Sequence, residues 1–412
     1  MRSIGMTYRV IPAGNMARRL IAAVVVTACG ATPTQVIEPG TPQLAVQTAT
    51  EGGLRVIAFD AHDAMGAVLH MRDGMPSMTL ALPGGDWLVG FDGHVAARVS
   101  HDGRIRWSRE IAIEKAIAAG NDLVVATSFA DTVMSIIGLH GDGSIAWRAE
   151  GGSITSQTRL VRTPGATIVV HANGELAVDD AGVVLWRIDR RGDHNSWALG
   201  AYVEGAGLVI VNAASASPET AFLPRPRMPM VAHLVDPRTG MERARAELAP
   251  DADAWALADI AVVGKRVVVH AADEIGTATP GGFVYKFVVF SVGRDSIAVA
   301  DAVVAPKSVE ELERVPRIAR DEAIFLSGRE ITLVDPATHR VRSAPLIRVP
   351  SGSSVQIFGL HRVGDSFSFL GDLSGTLVIG DQRLHADVRM EQSMAGPMVF
   401  ASLWFCGAFS PR

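Results

Sequence analysis

Few residues of this 412-residue chain have the types and spacing that metal chemistry requires. The best candidate is Asp60-Ala61-His62-Asp63, where alternate side chains of an extended segment would face the same way. A second candidate, Asp251-Ala252-Asp253, lacks the glycine and the distal glutamate of a calcium loop. Isolated acidic and histidine residues between strands are usually solvated turn residues, so we interpret both stretches in this way. The sequence predicts no metal site.

Residues for covalent catalysis are equally sparse. Serine hydrolases place their nucleophile on a sharp turn, yet the chain contains no Gly-x-Ser-x-Gly. Its two cysteines, Cys29 and Cys406, lie at opposite ends of the chain and are too few for a disulfide framework or a thiolate zinc site. We therefore predict no catalytic residue and no enzymatic activity.

The bulk composition defines the class of protein. Hydrophobic residues make up 48% of the chain and charged residues 20%, enough to bury a large core, which excludes a disordered chain. The formal net charge is −5, and the lysines are scattered along the sequence. Because there is no cationic region to attract a phosphate backbone, nucleic acid is not an expected partner.

The first thirty residues have the layout of an export signal. Four arginines and no acid precede residue 20, and a short apolar run follows from Leu20 to Ala28. The run ends Val26-Thr27-Ala28-Cys29-Gly30, which resembles a bacterial lipobox. This resemblance implies a signal peptide at 1–28, diacylglycerol on Cys29, and an anchor in the cell envelope, with the non-acidic Gly30 pointing to the outer membrane. Residues 29–50 are polar and contain prolines, so they are predicted to form a flexible tether.

A repeat of about forty residues organises the rest, from 51 to 412. Trp107, Trp147 and Trp186 are separated by 40 and 39 residues, and each stands four residues after a turn glycine. Between them lie short β-branched runs bounded by glycine and aspartate, which are typical of strands. Four strands fit this period, and each tryptophan is expected to pack between neighbouring sheets. A pair of β-sandwiches is the alternative, but it does not explain the regular spacing.

Weaker copies of the pattern follow along the chain. Two strands ending in Asp-Pro are expected before Asp236 and Asp335, and others at 283–291 and 371–380. The apolar run Met398–Phe405 is expected to complete a sheet begun at Leu54–Phe59, which would close the array.

The strand, Asp-Gly turn and Trp strand together resemble the pyrroloquinoline-quinone-type β-propeller repeat, clearly over 84–190 and loosely over 191–400. The resemblance implies an all-β propeller of six to eight four-stranded blades, with seven expected. This repeat occurs in quinone-dependent dehydrogenases and in cofactor-free binding lipoproteins of the outer-membrane assembly machinery. A dehydrogenase would usually carry adjacent cysteines, which this chain lacks, so no cofactor is expected.

One stretch has the character of a binding surface. Residues 213–230 lengthen the interval between two turns, and their prolines bracket cations beside apolar side chains: Phe222, Arg225, Arg227 and Met228. We expect this loop to contact another envelope protein, so that the chain acts as a membrane-tethered scaffold. The alternative is an enzyme or a carbohydrate-binding protein that uses the central channel, where loops of all blades converge.

Overall fold

The fold is described from a computed structural model. The structure describes residues 44–48, 54–60, 76–352, 354–363, 366–379, 382–386 and 403–409, with gaps at 84, 92–94, 101–104, 131–132, 154–157, 172–173, 190–195, 215–228, 250–253, 275–282, 305–308, 314–318 and 328–329.

Strands in these ranges form seven sheets. The first two strands are β1 (Leu44–Thr48) and β2 (Leu54–Asp60). Six four-stranded sheets follow, which we call blades. Blade 1 contains β3 (Pro76–Ala81), β4 (Trp87–Phe91), β5 (Val95–Val99) and β6 (Ile105–Arg109). Blade 2 contains β7 (Lys115–Ala118), β8 (Leu123–Ala130), β9 (Val133–His140) and β10 (Ile145–Ser153). Blade 3 contains β11 (Arg159–Thr163), β12 (Ala166–His171), β13 (Gly174–Asp179) and β14 (Val184–Asp189).

The later blades are built in the same manner. Blade 4 contains β15 (Ser196–Val203), β16 (Gly207–Ala214), β17 (Met230–Val235) and β18 (Glu242–Leu248). Blade 5 contains β19 (Ala254–Val263), β20 (Arg266–Glu274), β21 (Phe283–Val292) and β22 (Ile297–Val304). Blade 6 contains β23 (Glu310–Glu311), β24 (Ala323–Ser327), β25 (Glu330–Val334) and β26 (Val341–Pro345). The seventh sheet joins β1 and β2 to β27 (Ile347–Arg348), β28 (Ser354–Val363), β29 (Ser366–Ile379), β30 (Gln382–Ala386) and β31 (Leu403–Phe409).

Apolar side chains are buried between blades rather than within them. Each apolar cluster joins two neighbouring blades, from blades 1 and 2 through to blades 5 and 6. The strand β12 shows why: all six of its residues are buried because a blade covers each face. The innermost strands β3, β7, β11, β15 and β19 lie side by side, β24 lies against β19, and β28 lies against β3. This radial arrangement is a β-propeller, which confirms the predicted all-β class and the four-stranded blade.

The seventh sheet holds both ends of the described chain. Leu54 pairs with Phe409 and Asp60 with Leu403, and β31 pairs on its other side with β29. The pairing of β2 with the C-terminal strand agrees with the closure expected from the sequence, although the strand covers 403–409 rather than 398–405. The strand β1 lies inside 29–50, the range assigned to the tether, and pairs with β2. No helix in the described ranges is long and apolar enough to cross a membrane.

The two faces of the ring differ in their connections. We call the loop face the one at which the innermost strands of blades 1 to 5 begin, and the turn face the one at which they end. Connections at the turn face are two to six residues long in these five blades. At the loop face, the connection between the second and third strands is two or three residues long in blades 1 to 3, 15 residues in blade 4 and eight in blade 5.

Tryptophans of the repeat join each blade to the next at the turn face. Trp107 of blade 1 donates its indole N–H to the carbonyl oxygen of Gly141, in the β9–β10 turn of blade 2, at 2.8 Å. Trp147 donates to Asp180 of blade 3 at 3.0 Å, and Trp186 to Pro237 of blade 4 at 2.9 Å. The structure therefore places all three between blades.

A glycine in each receiving turn makes room for the indole. A β-carbon at Gly143 would lie 2.6 Å from Cδ2 of Trp107, and one at Gly182 would lie 2.6 Å from Trp147. Both glycines also have positive φ angles, of +81° and +84°, which L side chains rarely adopt. Contact and backbone shape thus both require glycine in this turn.

A β-bulge recurs on the outermost strand of blades 1 to 4. In each of these blades, a residue without a partner across the strand pair stands just before the tryptophan or its equivalent: Arg106, Ala146, Leu185 and Arg243. Bulges twist a strand and re-aim its side chains. We infer that this bulge turns each tryptophan toward the next blade.

Candidate functional site

The residues predicted to bind a partner lie outside the described ranges. These are Phe222, Arg225, Arg227 and Met228, together with the lipidation candidate Cys29. The two ends of the long connection are described: Ala213 pairs with Met230 where β16 and β17 meet the loop face of blade 4. This connection therefore starts and ends at the loop face.

The metal candidates lie largely outside these ranges as well. Asp60 is the last residue of β2, whereas His62, Asp63, Asp251 and Asp253 are not described. Among the residues that are described, no three histidine, cysteine or acidic side chains come together in a metal-binding group.

An ion pair connects blade 3 to blade 5 on the side of the ring that faces the central channel. Nη1 of Arg159, on β11 of blade 3, lies 3.3 Å from Oδ1 of Asp259, on β19 of blade 5. Nη2 of the same arginine donates to the carbonyl oxygen of Ala258 at 2.9 Å. The pair passes the innermost strand of blade 4, where Gly200 would have no room for a side chain beside Val161 and Val170. Two blades that are not neighbours are thus connected by one guanidinium group.

A second acid and base lie at the start of the innermost strand of blade 2. Lys115 begins β7, and its neighbour Glu114 precedes the strand. Burial lowers the pKa of Lys115; the charge of Glu114 opposes this shift and the charge of Arg159 adds to it. Burial also raises the pKa of Glu114, against the charge of Lys115.

His270 extends the group toward blade 6. It is the strand partner of Asp259 and stacks on Phe287, with ring centroids 4.8 Å apart. Burial lowers the pKa of His270, and the charge of Asp259 opposes the shift. The imidazole is therefore mainly neutral at pH 7, and it fills an aromatic contact between blades 5 and 6 that also contains Phe325.

The strands that carry the ion pair differ in length. Arg159 and Asp259 each stand four residues before the end of their strand, so they lie at similar depth. The strand β11 begins at Arg159, whereas β19 continues five residues farther toward the loop face, which is about 16 Å at 3.3 Å per residue. Residues 154–157, just before β11, lie outside the described ranges. Glu114, Lys115, Arg159 and Asp259 are called here the channel group.

Two other features of the surface lie at the turn face. A cavity of about 20 Å³ between blades 1 and 2 is lined by Asp122, His140 and the Trp107 contact, and it has room for about one water molecule. Exposed apolar side chains follow the turns of blades 3 and 4: Val183, Val184, Leu185 and Met241. Neither feature adjoins the channel group.

Comparisons with known proteins find distant structural similarity alone. No family model and no curated protein matches the sequence. Among solved structures, the WD40 domain of Pan2 from Neurospora crassa is 13% identical, with a TM-score of 0.46, over 82% of this chain and 90% of that one. BamB from Moraxella catarrhalis is 9% identical, with a TM-score of 0.40, over 81% and 99%. PorZ, a surface component of the type-IX secretion system of Porphyromonas gingivalis, is 9% identical, with a TM-score of 0.44, over 79% and 39%.

The channel group was not identified from the sequence. Its members come from three blades and are separated by up to 145 residues, so no local spacing connects them. The sequence carried a weak signal, because Lys115 and Arg159 are long cationic residues at the starts of strands. The blades that hold the members of the group come together only when the ring is formed.

Proposed function

We propose that this protein is a lipid-anchored β-propeller of the bacterial cell envelope that binds another envelope protein through its loop face and acts as a scaffold without catalysis. One observation carries the proposal: blades 4 and 5 have longer connections at the loop face than any blade from 1 to 5 has at the turn face. The turns of the turn face hold the blades together, and the loop face of blades 4 and 5 carries the long connections.

The turn face is rigid because its turns are held by hydrogen bonds within the turn and by a tryptophan of the preceding blade. Within the β13–β14 turn, Oδ1 of Asp179 accepts the backbone N–H groups of Ala181 at 2.9 Å and Val183 at 2.8 Å. From the preceding blade, Trp147 occupies the space above Gly182. Asp236 holds the corresponding turn of blade 4 in the same way. A change of sequence in these turns would disturb the packing of two blades.

The loop face has no such constraint on the length of its connections. The 15-residue connection between β16 and β17 belongs to blade 4, beside the strand that the Arg159–Asp259 pair passes. Loops on a rigid scaffold are common positions for binding residues. The two cations and the apolar residues of 222–228 give this connection the composition of a protein interface.

Asp259 and its strand partner His270 also favour binding over catalysis. A channel enzyme would present free carboxylates or histidines in one pocket. Here Asp259 is held by Arg159 at 3.3 Å, and His270 is stacked on Phe287. Both groups are engaged in contacts that join blades, which supports a structural and binding role.

The anchor is tested by replacing Cys29 with serine. We expect the wild-type protein to incorporate labelled palmitate and to sediment with membranes, and the C29S variant to lose the label and enter the soluble fraction. The matched control is Cys406→Ser, because it removes the other cysteine and leaves the lipobox intact. A C29S variant that keeps both label and membrane attachment would refute lipidation at this residue.

The binding face is tested by quantitative pull-down from solubilised envelopes. We expect the double variant Arg225→Ala/Arg227→Ala to bind its partner about tenfold more weakly than the wild type, since two interfacial charges that contribute about 0.7 kcal/mol each sum to about 1.4 kcal/mol. The charge-matched control is Arg238→Ala/Arg294→Ala. Both of these arginines are exposed in turn-face turns.

The control should recover as much partner as the wild type. Equal loss in both double variants would indicate a general charge effect and would refute a specific loop-face site. Loss in the turn-face variant alone would place the interface on the opposite side of the ring.

A further inference from the structure

Exposed apolar side chains stand at the turn-face ends of three successive blades. Met241, in the β17–β18 turn of blade 4, is 68% exposed, and Val183, in the β13–β14 turn of blade 3, is 57% exposed. Val184 and Leu185 of blade 3 and Ile145 of blade 2 are 42–43% exposed. We call these five residues the apolar tips. Apolar side chains grouped on a protein surface commonly mark a place that binds another molecule or a membrane.

Tryptophans of the repeat join one tip to the next. Trp147 of blade 2 lies over Gly182, which immediately precedes Val183 in the turn of blade 3. Trp186 of blade 3 lies in the same way over Gly240, which immediately precedes Met241. Apolar surface therefore continues from blade 2 through blade 3 to blade 4.

Blades 5 and 6 carry polar residues at the same position. The β21–β22 turn of blade 5 has the exposed residues Arg294, Asp295 and Ser296, and the β25–β26 turn of blade 6 has the exposed residues His339 and Arg340. Among the described turns of blades 2 to 6, apolar tips therefore occur only in blades 2 to 4. The repeat itself does not require them.

The outermost strands of these three blades are layered in charge. Each carries an exposed arginine shortly after its tip: Arg148, Arg187 and Arg245. Each then carries an exposed acid two residues beyond the arginine: Glu150, Asp189 and Glu247. At about 3.3 Å per residue, the arginines lie about 10 to 13 Å from the tips along the strand, and the acids about 16 to 20 Å.

We propose that the apolar tips of blades 2 to 4 insert into the surface of the lipid bilayer that holds the Cys29 anchor, so that the turn face meets the membrane and the loop face points away from it. The inference rests on the proposed function in taking the protein as lipid-anchored. It adds the face of the ring that contacts the lipid.

A bilayer surface has the same order of layers as these blades. Apolar side chains enter the boundary of the acyl region, and arginines beside them meet the phosphate groups of the lipids. Carboxylates are more stable farther out, where water solvates them and the negative phosphates are distant. A protein partner would not require the same order of apolar, cationic and acidic levels in three successive blades. The layering therefore favours lipid as the occupant.

The acids nearest the tips of blades 3 and 4 are engaged by other groups. Asp180 and Asp236 each pair with an arginine of their own blade. Asp179 caps backbone N–H groups of its own turn, and Glu242 is hydrogen-bonded to a histidine. In blade 2, by contrast, Asp142 is exposed at the turn. Blade 2 should therefore enter the lipid less deeply than blades 3 and 4.

The predicted tether is long enough for this orientation. Fourteen residues separate Cys29 from Leu44, the first residue of β1. Fully extended, they reach about 50 Å. The anchor would thus keep the ring near the bilayer without fixing its orientation, and the surface chemistry of the blades would decide which face meets the lipid.

The test measures flotation of the full unlipidated chain, Cys29→Ser, with vesicles of phosphatidylethanolamine and phosphatidylglycerol. Without acyl chains the tips should bind weakly, so the vesicles are used at about millimolar lipid; the lipid in a diluted lysate is too sparse to retain C29S. In this chain, Val183→Ser/Met241→Ser should weaken binding about tenfold, because it removes apolar area that lipid would cover.

The matched control in the same chain is Val133→Ser/Tyr285→Ser. It removes exposed apolar side chains near the loop-face ends of blades 2 and 5. It should bind the vesicles as C29S does.

A second pair of substitutions tests the cationic layer. Arg148→Gln/Arg245→Gln should weaken binding to vesicles that contain phosphatidylglycerol about fivefold and leave binding to phosphatidylcholine vesicles unchanged. Arg187 is kept, because it donates to the carbonyl oxygen of Glu150 in the preceding blade at 2.6 Å.

A fluorescent probe locates the contact independently of these variants. With Cys29 and Cys406 replaced by serine, a solvent-sensitive fluorophore on Met241→Cys should shift to the blue when vesicles are added. The same fluorophore on Val133→Cys should not shift.

Three results would overturn the proposal: no binding of C29S to vesicles, equal weakening in both double serine variants, or a blue shift at position 133 and none at 241. A concentration-dependent dimer in sedimentation velocity that Val183→Ser/Met241→Ser abolishes would also overturn it, since a second copy would then cover the tips. These measurements need neither acyl chains nor a partner protein. Their failure is therefore distinguishable from failure of the palmitate assay or of the pull-down.

Discussion

Replacement of Trp107 by alanine is expected to lower the free energy of unfolding by about 3–5 kcal/mol, the range for removing a large buried aromatic side chain. Trp107 is 9% exposed and belongs to the apolar cluster between blades 1 and 2. The substitution removes this apolar contact and the indole hydrogen bond to Gly141, and it leaves a cavity over Gly143. Urea unfolding, followed by tryptophan fluorescence and circular dichroism, measures the change.

Trp107→Phe separates the two contributions. It keeps most of the apolar contact and loses the N–H donor, so we expect a loss of about 1–2 kcal/mol. Trp186→Ala is the comparison on a less buried member of the series, and its effect should lie below that of Trp107→Ala. If all three variants unfolded at the urea concentration of the wild type, the tryptophans would not hold the blades together.

Removal of β31 should have the second large effect. A chain that ends at Ser402 lacks the strand that pairs with β2 on one side and with β29 on the other. Both neighbours would then present unpaired edges, which promote aggregation. We expect a loss comparable to the whole free energy of folding of an ordinary domain, about 5–15 kcal/mol. Limited proteolysis and gel filtration after refolding measure it.

The matched control ends at Phe409 and removes only residues 410–412. It keeps all of β31 and should resist protease as the full chain does. A chain ending at Ser402 that stayed monomeric and protease-resistant would show that the ring does not need the pairing of its two ends.

Local pattern was sufficient to predict the blade. The forty-residue spacing of Trp107, Trp147 and Trp186 was readable because one turn shape, requiring glycine at a positive φ angle, recurs in each blade. The Asp-Pro turns at Asp236 and Asp335 were readable because their side chains cap backbone N–H groups within three residues. Interactions between residues this close in the chain can be recognised from a short stretch of sequence.

Interactions between distant blades cannot be recognised in this way. Arg159 and Asp259 are 100 residues apart, and nothing near either one indicates the other. The two-residue strand Glu310–Glu311 pairs in parallel with β26, an exception among otherwise antiparallel blades, and its sequence is not typical of a strand. The difference in length between β11 and β19 likewise could not be predicted, because propensities define strand ends only to within a few residues.

The pairing of β2 with β31 also sets an order of events in folding. Leu54 and Phe409 are 355 positions apart, whereas the hairpins of blades 1 to 5 close connections of two to 15 residues. Because the entropy lost on closing a loop grows with its length, the hairpins should form first and the junction of the two ends last. A chain synthesised from its N-terminus would carry β2 with one unpaired edge until the final residues emerge. A factor that covers that edge would then affect the yield of closed rings.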